Sequence, residues 1–94
     1  MSRYIIKIKD KYFEWSTIVD APITNGMSLS EFRSYYQSEY GENGMKNLDE
    51  RLKLVEAKGI SSILDHNLEE FIKYNHAGDN ETRLSMNEIY EKYQ

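Results

Sequence analysis

A chain of 94 residues with no cysteine, and with 12 Lys and Arg against 16 Asp and Glu, reads as one domain (1–94) that forms neither disulfides nor thiolate metal sites. The net charge of −4 is uneven, with residues 1–27 at +1 and residues 28–94 at −5, and it disfavours direct nucleic-acid binding, which draws on clustered basic surface. No basic-then-apolar leader and no apolar run near the roughly 18–20 residues needed to cross a bilayer is present, so a soluble, cytoplasmic protein without a cofactor is expected.

The chain opens with two alternating runs. Tyr4, Ile6 and Ile8 alternate with Ile5, Lys7 and Lys9; from Tyr12 to Asp20, Phe13, Trp15, Thr17 and Val19 alternate with Tyr12, Glu14, Ser16, Ile18 and Asp20. That is the period of half-buried strands. A two-residue loop at Asp10–Lys11 predicts an antiparallel hairpin (3–20) pairing Ile8 with Phe13, Lys7 with Glu14, Ile6 with Trp15 and Tyr4 with Thr17. Asp-Lys lacks the glycine that tight primed turns favour, and a longer loop would change this register. Phe13, Trp15 and Val19 are expected in the core. The face bearing Arg3, Ile5, Lys7, Tyr12, Glu14, Ser16 and Ile18 is expected to be solvated or a contact surface, with both strands as potential edges. Ala21–Pro22 should end the second strand, because proline cannot donate to a ladder. Ile23–Thr24 can extend it briefly before Asn25–Gly26 turns the chain.

Residues 28–94 read as helical. A cap residue precedes a glutamate by three positions at Ser28–Glu31, Asn47–Glu50, Asn67–Glu70 and Ser85–Glu88, the spacing of a capping box. Gly41, Gly59 and Gly78 suit left-handed C-caps. Met27 with Phe32, His66 with Phe71 and Leu84 with Ile89 stand at staple positions. Four short helices follow: Leu29 to about Tyr40, Leu48–Lys58, Leu68 to about His76, and Met86–Tyr93. Leu29, Phe32, Tyr36 and Tyr40 form a stripe expected to cover the Trp15 face. Leu48, Leu52, Val55, Leu68, Phe71, Ile72 and Ile89 are expected inward, with Ile60, Ile63 and Leu64 plugging the core between the second and third helices. The fold class is therefore α+β, an N-terminal antiparallel hairpin packed on about four short helices (28–94).

Chemical signatures are weak. His66 and His76, with Asp65, Glu69 and Asp79 near in sequence, match no metal-ligand spacing, and capping or surface roles are expected for them. Ser16–Thr17 and Ser61–Ser62 lack a nucleophile-elbow context, and Gly41 and Gly44 make no phosphate loop. Asp20, ahead of Ala21–Pro22, is expected to brace its loop. No catalytic or metal residue is assigned, and an enzyme is not expected.

Tyrosine is the anomaly, at 8 of 12 aromatic residues. Tyr12, Tyr35, Tyr74 and Tyr93 are expected outside, where tyrosine suits contact surfaces by joining large apolar area to a polar tip. Boundary positions that snorkel explain the surplus equally well.

The runs EWSTIVDAPITNGMSLSEF (Glu14–Phe32) and SYYQSEYG (Ser34–Gly41) resemble small accessory proteins encoded in bacteriophage genomes, over about a third of the chain. The resemblance implies expression in an infected bacterium and action by binding a host component, in the manner of a host-defence antagonist. It carries over no functional residue. The leading expectation is a non-enzymatic protein-binding module that inhibits by surface occlusion, with a partner surface of Tyr12, Glu14, Ile18, Asp20, Tyr35 and Glu39. The alternative is an oligomer, assembled through the hairpin edge or outer face, that sequesters a nucleotide by stacking on tyrosine and pairing its phosphate with Arg3, Arg33 or Arg83.

Overall fold

The computed structural model describes residues 3–62, 67–73 and 75–93, and it is α+β. Strands β1 (Arg3–Ile8), β2 (Lys11–Ser16) and β3 (Ala21–Pro22) form an antiparallel sheet in that order. Helices α1 (Leu29–Lys58), α2 (Leu68–Phe71) and α3 (Met86–Lys92) follow.

The hairpin forms where the alternation places it, but its register differs by two residues. Tyr4 opposes Trp15, Ile6 opposes Phe13, and Lys7 opposes Tyr12. Lys9 and Asp10, not Asp10 and Lys11, make the turn, and Lys9 takes the left-handed φ of 56° that primed turns require at their first central position. The expected Lys7–Glu14 pair does not form. A shift of two keeps every side chain on its face, so local patterning cannot separate the two registers.

β2 stops at Ser16, and residues 17–20 turn. Ala21–Pro22, expected to end a strand, instead forms the edge strand β3, with Ser16 opposite Ala21 and Trp15 opposite Pro22. Proline is tolerated there because its missing N–H faces away from the ladder. Pairing continues beyond it, with Ile23 N–H donating to the Glu14 carbonyl at 2.8 Å and Glu14 N–H donating to Thr24 Oγ1 at 3.0 Å. Val19, expected inside, sits on the turn and is exposed.

Neither hairpin edge is open along its length. Lys7 N–H donates to the Gly59 carbonyl and Ser61 N–H to the Ile5 carbonyl, both at 2.9 Å, so the segment after α1 runs along β1. On the other side Tyr12 and Met27 exchange backbone bonds of 2.8 and 3.0 Å. Parts of both hairpin edges are thus paired within the chain.

Both faces of the sheet are buried, which is the main departure from expectation. Ile6, Ile8, Phe13 and Trp15 pack with Ile60, Leu68, Ile72, Ala77 and Ile89 on one side. Ile5 and Tyr12 pack with Phe32, Tyr36, Leu48, Leu52 and Val55 on the other. Helix α1 therefore covers the face expected to be solvated, and the Trp15 face is closed by α2, α3 and their connections. Leu29, expected inward, is exposed at the start of α1.

The helices are also fewer than expected. α1 runs through Asn47–Glu50, which is not a start, and it is interrupted only at Gly41, whose φ of 65° and ψ of −163° are not helical. A side chain there would meet nothing within 4 Å, so the backbone alone selects glycine. Gly41→Ala is expected to cost about 1–3 kcal/mol, the price of forcing a non-glycine residue into that region. A thermal melt checks it, and an unchanged midpoint would mean the break is not held in solution.

Local capping signals fare better. Ser28–Glu31 and Ser85–Glu88 form reciprocal capping boxes, Asn67 accepts from Glu70 N–H, and Gly59 ends α1 at φ 81°. Gly78 does not take the left-handed cap; its φ is −86°, ahead of a single 3-10 turn at Asp79–Glu81. The third helix stops at Phe71, far short of His76. Asn75 explains the loop that replaces it, because its buried amide donates to the Ile72 and Leu84 carbonyls and accepts from the Ala77 and Leu84 N–H groups. All the partners of that side chain are backbone, which makes it the clasp of an irregular segment. The expectations for Ile63, Leu64, Asp65, His66 and Tyr74 lie outside the described residues.

Candidate functional site

The six residues expected to form a partner surface divide into two groups. Tyr12 and Glu14 are interior residues of the sheet face under α1, and Glu14 is only 2% exposed. The Glu14 carboxylate accepts from the Tyr35 hydroxyl at one oxygen and the Tyr40 hydroxyl at the other. Arg3 Nη1 stands 3.9 Å from the same carboxylate and donates to Tyr40 Oη at 3.2 Å. Tyr35, expected outside, is thus half-buried and turned onto the sheet. Burial, then the bond to Glu14, pushes both the Tyr35 and Tyr40 hydroxyls above the ordinary tyrosine range.

Tyr12 ends in a second cluster. Its hydroxyl donates to Glu56 Oε1 at 2.6 Å, and Lys7 Nζ lies 3.2 Å from the same oxygen. The Tyr12 hydroxyl and Lys7 hold Glu56 below the usual carboxylate range. Tyrosine supplies the apolar area of this face while its hydroxyl reaches the acids at the margin. Much of the surplus is therefore consumed inside the fold. Tyr93 likewise packs against the core and donates to the Ala77 carbonyl at 2.8 Å.

Ile18 and Asp20 lie together on the turn between β2 and β3. Ile18 is 66% exposed and its neighbour Val19 50%, with Ile23 also exposed just beyond β3. The turn is braced at several points. Ile18 N–H donates to Ser16 Oγ at 3.2 Å, Asp20 takes a left-handed φ of 52°, and the Asp20 carbonyl accepts from His76 N–H at 2.9 Å. His76 Nδ1 stands 4.0 Å from the Asp20 carboxylate. Glu39 is exposed on α1. Tyr35 and Glu39 share a helix face at i, i+4.

The serines have structural work. Ser61 Oγ accepts from Ile5 N–H at 2.9 Å, and the Ser62 carbonyl accepts from Lys58 Nζ at 2.6 Å. Among the described residues no group of three His, Asp or Glu side chains could hold a metal ion, and no helix is long and apolar enough to cross a membrane.

A cavity of about 400 Å³ opens where the start of β1 meets the middle of α1, walled by Arg3, Glu14, Tyr36, Tyr40, Asn47 and Arg51. It adjoins a second depression of about 540 Å³ that shares Arg3, Asn47 and Arg51 and adds Glu50 and Ser61. Arg33 and Arg83, named in sequence as alternative phosphate ligands, are elsewhere. Arg33 pairs with Asp49 at 2.8 Å, and Arg83 reaches the Lys73 carbonyl at 3.4 Å. Sequence reasoning missed Arg51 altogether, and a lone arginine inside a mixed-charge helix gives no signal that could have found it.

No family model, curated protein or solved structure matches this chain.

Proposed function

We propose that this chain is a non-enzymatic protein-binding module that inhibits a bacterial host protein by covering part of its surface, in the manner of the phage accessory proteins that residues 14–41 resemble. The observation that carries the reading is the Thr17–Asp20 turn. Turns are usually polar, yet this one lifts two β-branched apolar side chains into solvent on a backbone pinned by Ser16, Asp20 and His76. A pinned apolar tip loses little freedom on binding, so more of its buried area appears as affinity. With Asp20 on the turn and a net charge of −4 on the chain, the complementary partner is an apolar cleft flanked by basic groups on a host-cytoplasm protein. Ile18, Val19 and Asp20 replace Tyr12 and Glu14 as the contact residues, with Ile23 beside them and Glu39 as a charged flank.

The test is affinity capture from bacterial lysate, followed by the captured partner's titration with Ile18→Asp/Val19→Asp. Exposed substitutions of this kind move stability by about 0.5 kcal/mol or less. The variant is expected to keep its circular dichroism and melting point while binding the partner at least about tenfold more weakly, since each buried apolar side chain contributes about 1.5–3 kcal/mol. Undiminished binding would refute the assigned surface. Light scattering of the free chain adds one further outcome: a dimer that the same variant dissociates would make self-association the use of this turn.

The alternative, a nucleotide-sequestering protein, is favoured by one observation, the Arg3–Arg51 cavity. Gly59–Ser61 and Met27 pair with part of each hairpin edge, so its assembly would use the remaining edge or another face.

A further inference from the structure

The geometry points to a small-anion site between Arg3 and Arg51 that takes a phosphoryl group. Arg3 enters from the first residue of β1 and Arg51 from the middle of α1, so the pair is assembled only by the fold. Arg3 Nε is buried without a hydrogen-bond partner, an arrangement that costs stability unless something accepts from it. Arg51 has no carboxylate within ion-pair distance among the described residues, and it lines the cavity together with Tyr36.

The acid inside the cavity is hydrogen-bonded to tyrosines and makes no direct hydrogen bond to Arg3. Both Glu14 oxygens are occupied by tyrosine hydroxyls, and its nearest approach to Arg3 is 3.9 Å. Glu50 borders only the adjoining depression. Asn47 offers an amide on the cavity wall.

Two guanidiniums from different elements match the charge and the terminal oxygens of a phosphoryl group better than those of a single carboxylate. The Tyr36 and Tyr40 rings, 4.6 Å apart between centroids, form the wall beside them. In a chain of net charge −4, two arginines lining one cavity make a local concentration of positive charge. The inference is independent of the protein-partner reading, because neither arginine belongs to the Thr17–Asp20 turn.

The experiment follows the arginine Nε–Hε resonances of the isotopically labelled full chain during titration with inorganic phosphate, AMP, adenosine and succinate. Arg33 and Arg83 serve as internal references. The expected result is a saturable shift of the Arg3 resonance with phosphate and with AMP, absent with adenosine and weaker with succinate. Arg51→Gln, at a half-exposed position, should weaken both by about tenfold or more, the loss expected when a charge-assisted hydrogen bond is removed. Arg51→Lys should restore only part of the loss, because lysine lacks the planar fork.

Absence of a saturable Arg3 shift with both phosphate and AMP at millimolar concentration overturns the site. So does equal binding to Arg51→Gln, or a response to succinate as strong as to phosphate. Adenosine that binds as tightly as AMP would replace phosphoryl recognition by ring stacking and overturn the assignment as well. None of these outcomes bears on capture of a protein through Ile18 and Val19.

Discussion

Glu14→Ala is expected to cost about 3 kcal/mol and to lower the melting temperature by roughly 12–24 °C, the shift that such a loss produces in a domain of this size. The carboxylate is 2% exposed and accepts from two tyrosines 21 and 26 residues away along the chain. Its removal leaves the Tyr35 and Tyr40 hydroxyls without their acceptor and Arg3 without the carboxylate 3.9 Å away. Unmade bonds of buried donors cost more than made ones contribute. Glu14→Gln keeps one acceptor oxygen and the volume, so its cost should fall between alanine and wild type. Tyr35→Phe removes a single hydroxyl and should cost about 1 kcal/mol. Thermal and urea unfolding of the three variants check the order, and an alanine variant within 1 kcal/mol of wild type would remove the network from the list of stabilising features.

The same cluster sets a pH limit. The Tyr35 and Tyr40 hydroxyls titrate above their ordinary value of 10.0 in the fold, first because burial disfavours the phenolate and then because Glu14 accepts their protons. The folded chain therefore holds these protons where the unfolded chain releases them. The contribution is whole below pH 10, and it is lost as pH climbs past 10 towards the raised folded values. In Tyr35→Phe the alkaline decline should be shallower, as followed by tyrosinate absorbance alongside circular dichroism.

What was legible in the sequence was local. Ser28–Glu31, Ser85–Glu88 and Gly59 act within one helical turn, where residue type and spacing decide the outcome. The alternation of Ile6, Ile8, Phe13 and Trp15 placed one sheet face correctly for the same reason. What was not legible depended on partners far along the chain. The hairpin register is compatible with pairing to Gly59–Ser61 and Met27, which no turn preference encodes. Glu14, Lys7 and Tyr12 look like a solvent face until α1 supplies Tyr35, Tyr40 and Glu56. Buried polar residues with hydroxyl partners imitate a surface in any reading based on hydrophobic period. The tyrosine surplus was therefore a sign of a second, partly polar core, whereas the exposed apolar residues stood in a turn where period-two patterning had placed Val19 inside.

Which face α1 covers can be decided by one substitution and its cycle. Phe32 is fully buried, with its ring 6.0 Å from Tyr12 and 5.8 Å from both Tyr35 and Tyr36. Phe32→Ala is expected to cost about 3–5 kcal/mol, as aromatic truncation in a closed core does, and in a chain of 94 residues that is a large share of a typical stability of about 5–15 kcal/mol. The milder Phe32→Leu is the practical probe because it keeps the fold populated. Combined with Tyr12→Leu it should show a coupling of about 0.5 kcal/mol or more, since contacting residues do not add. Combined with Trp15→Phe it should add within about 0.3–0.5 kcal/mol, because the sheet separates the two rings. Trp15 contacts Phe71 instead, at 5.6 Å between ring centroids. The opposite pattern, coupling to Trp15 and additivity with Tyr12, would put α1 on the Trp15 face and return Tyr12 and Glu14 to solvent, and with them the tyrosine surface that the sequence alone suggests.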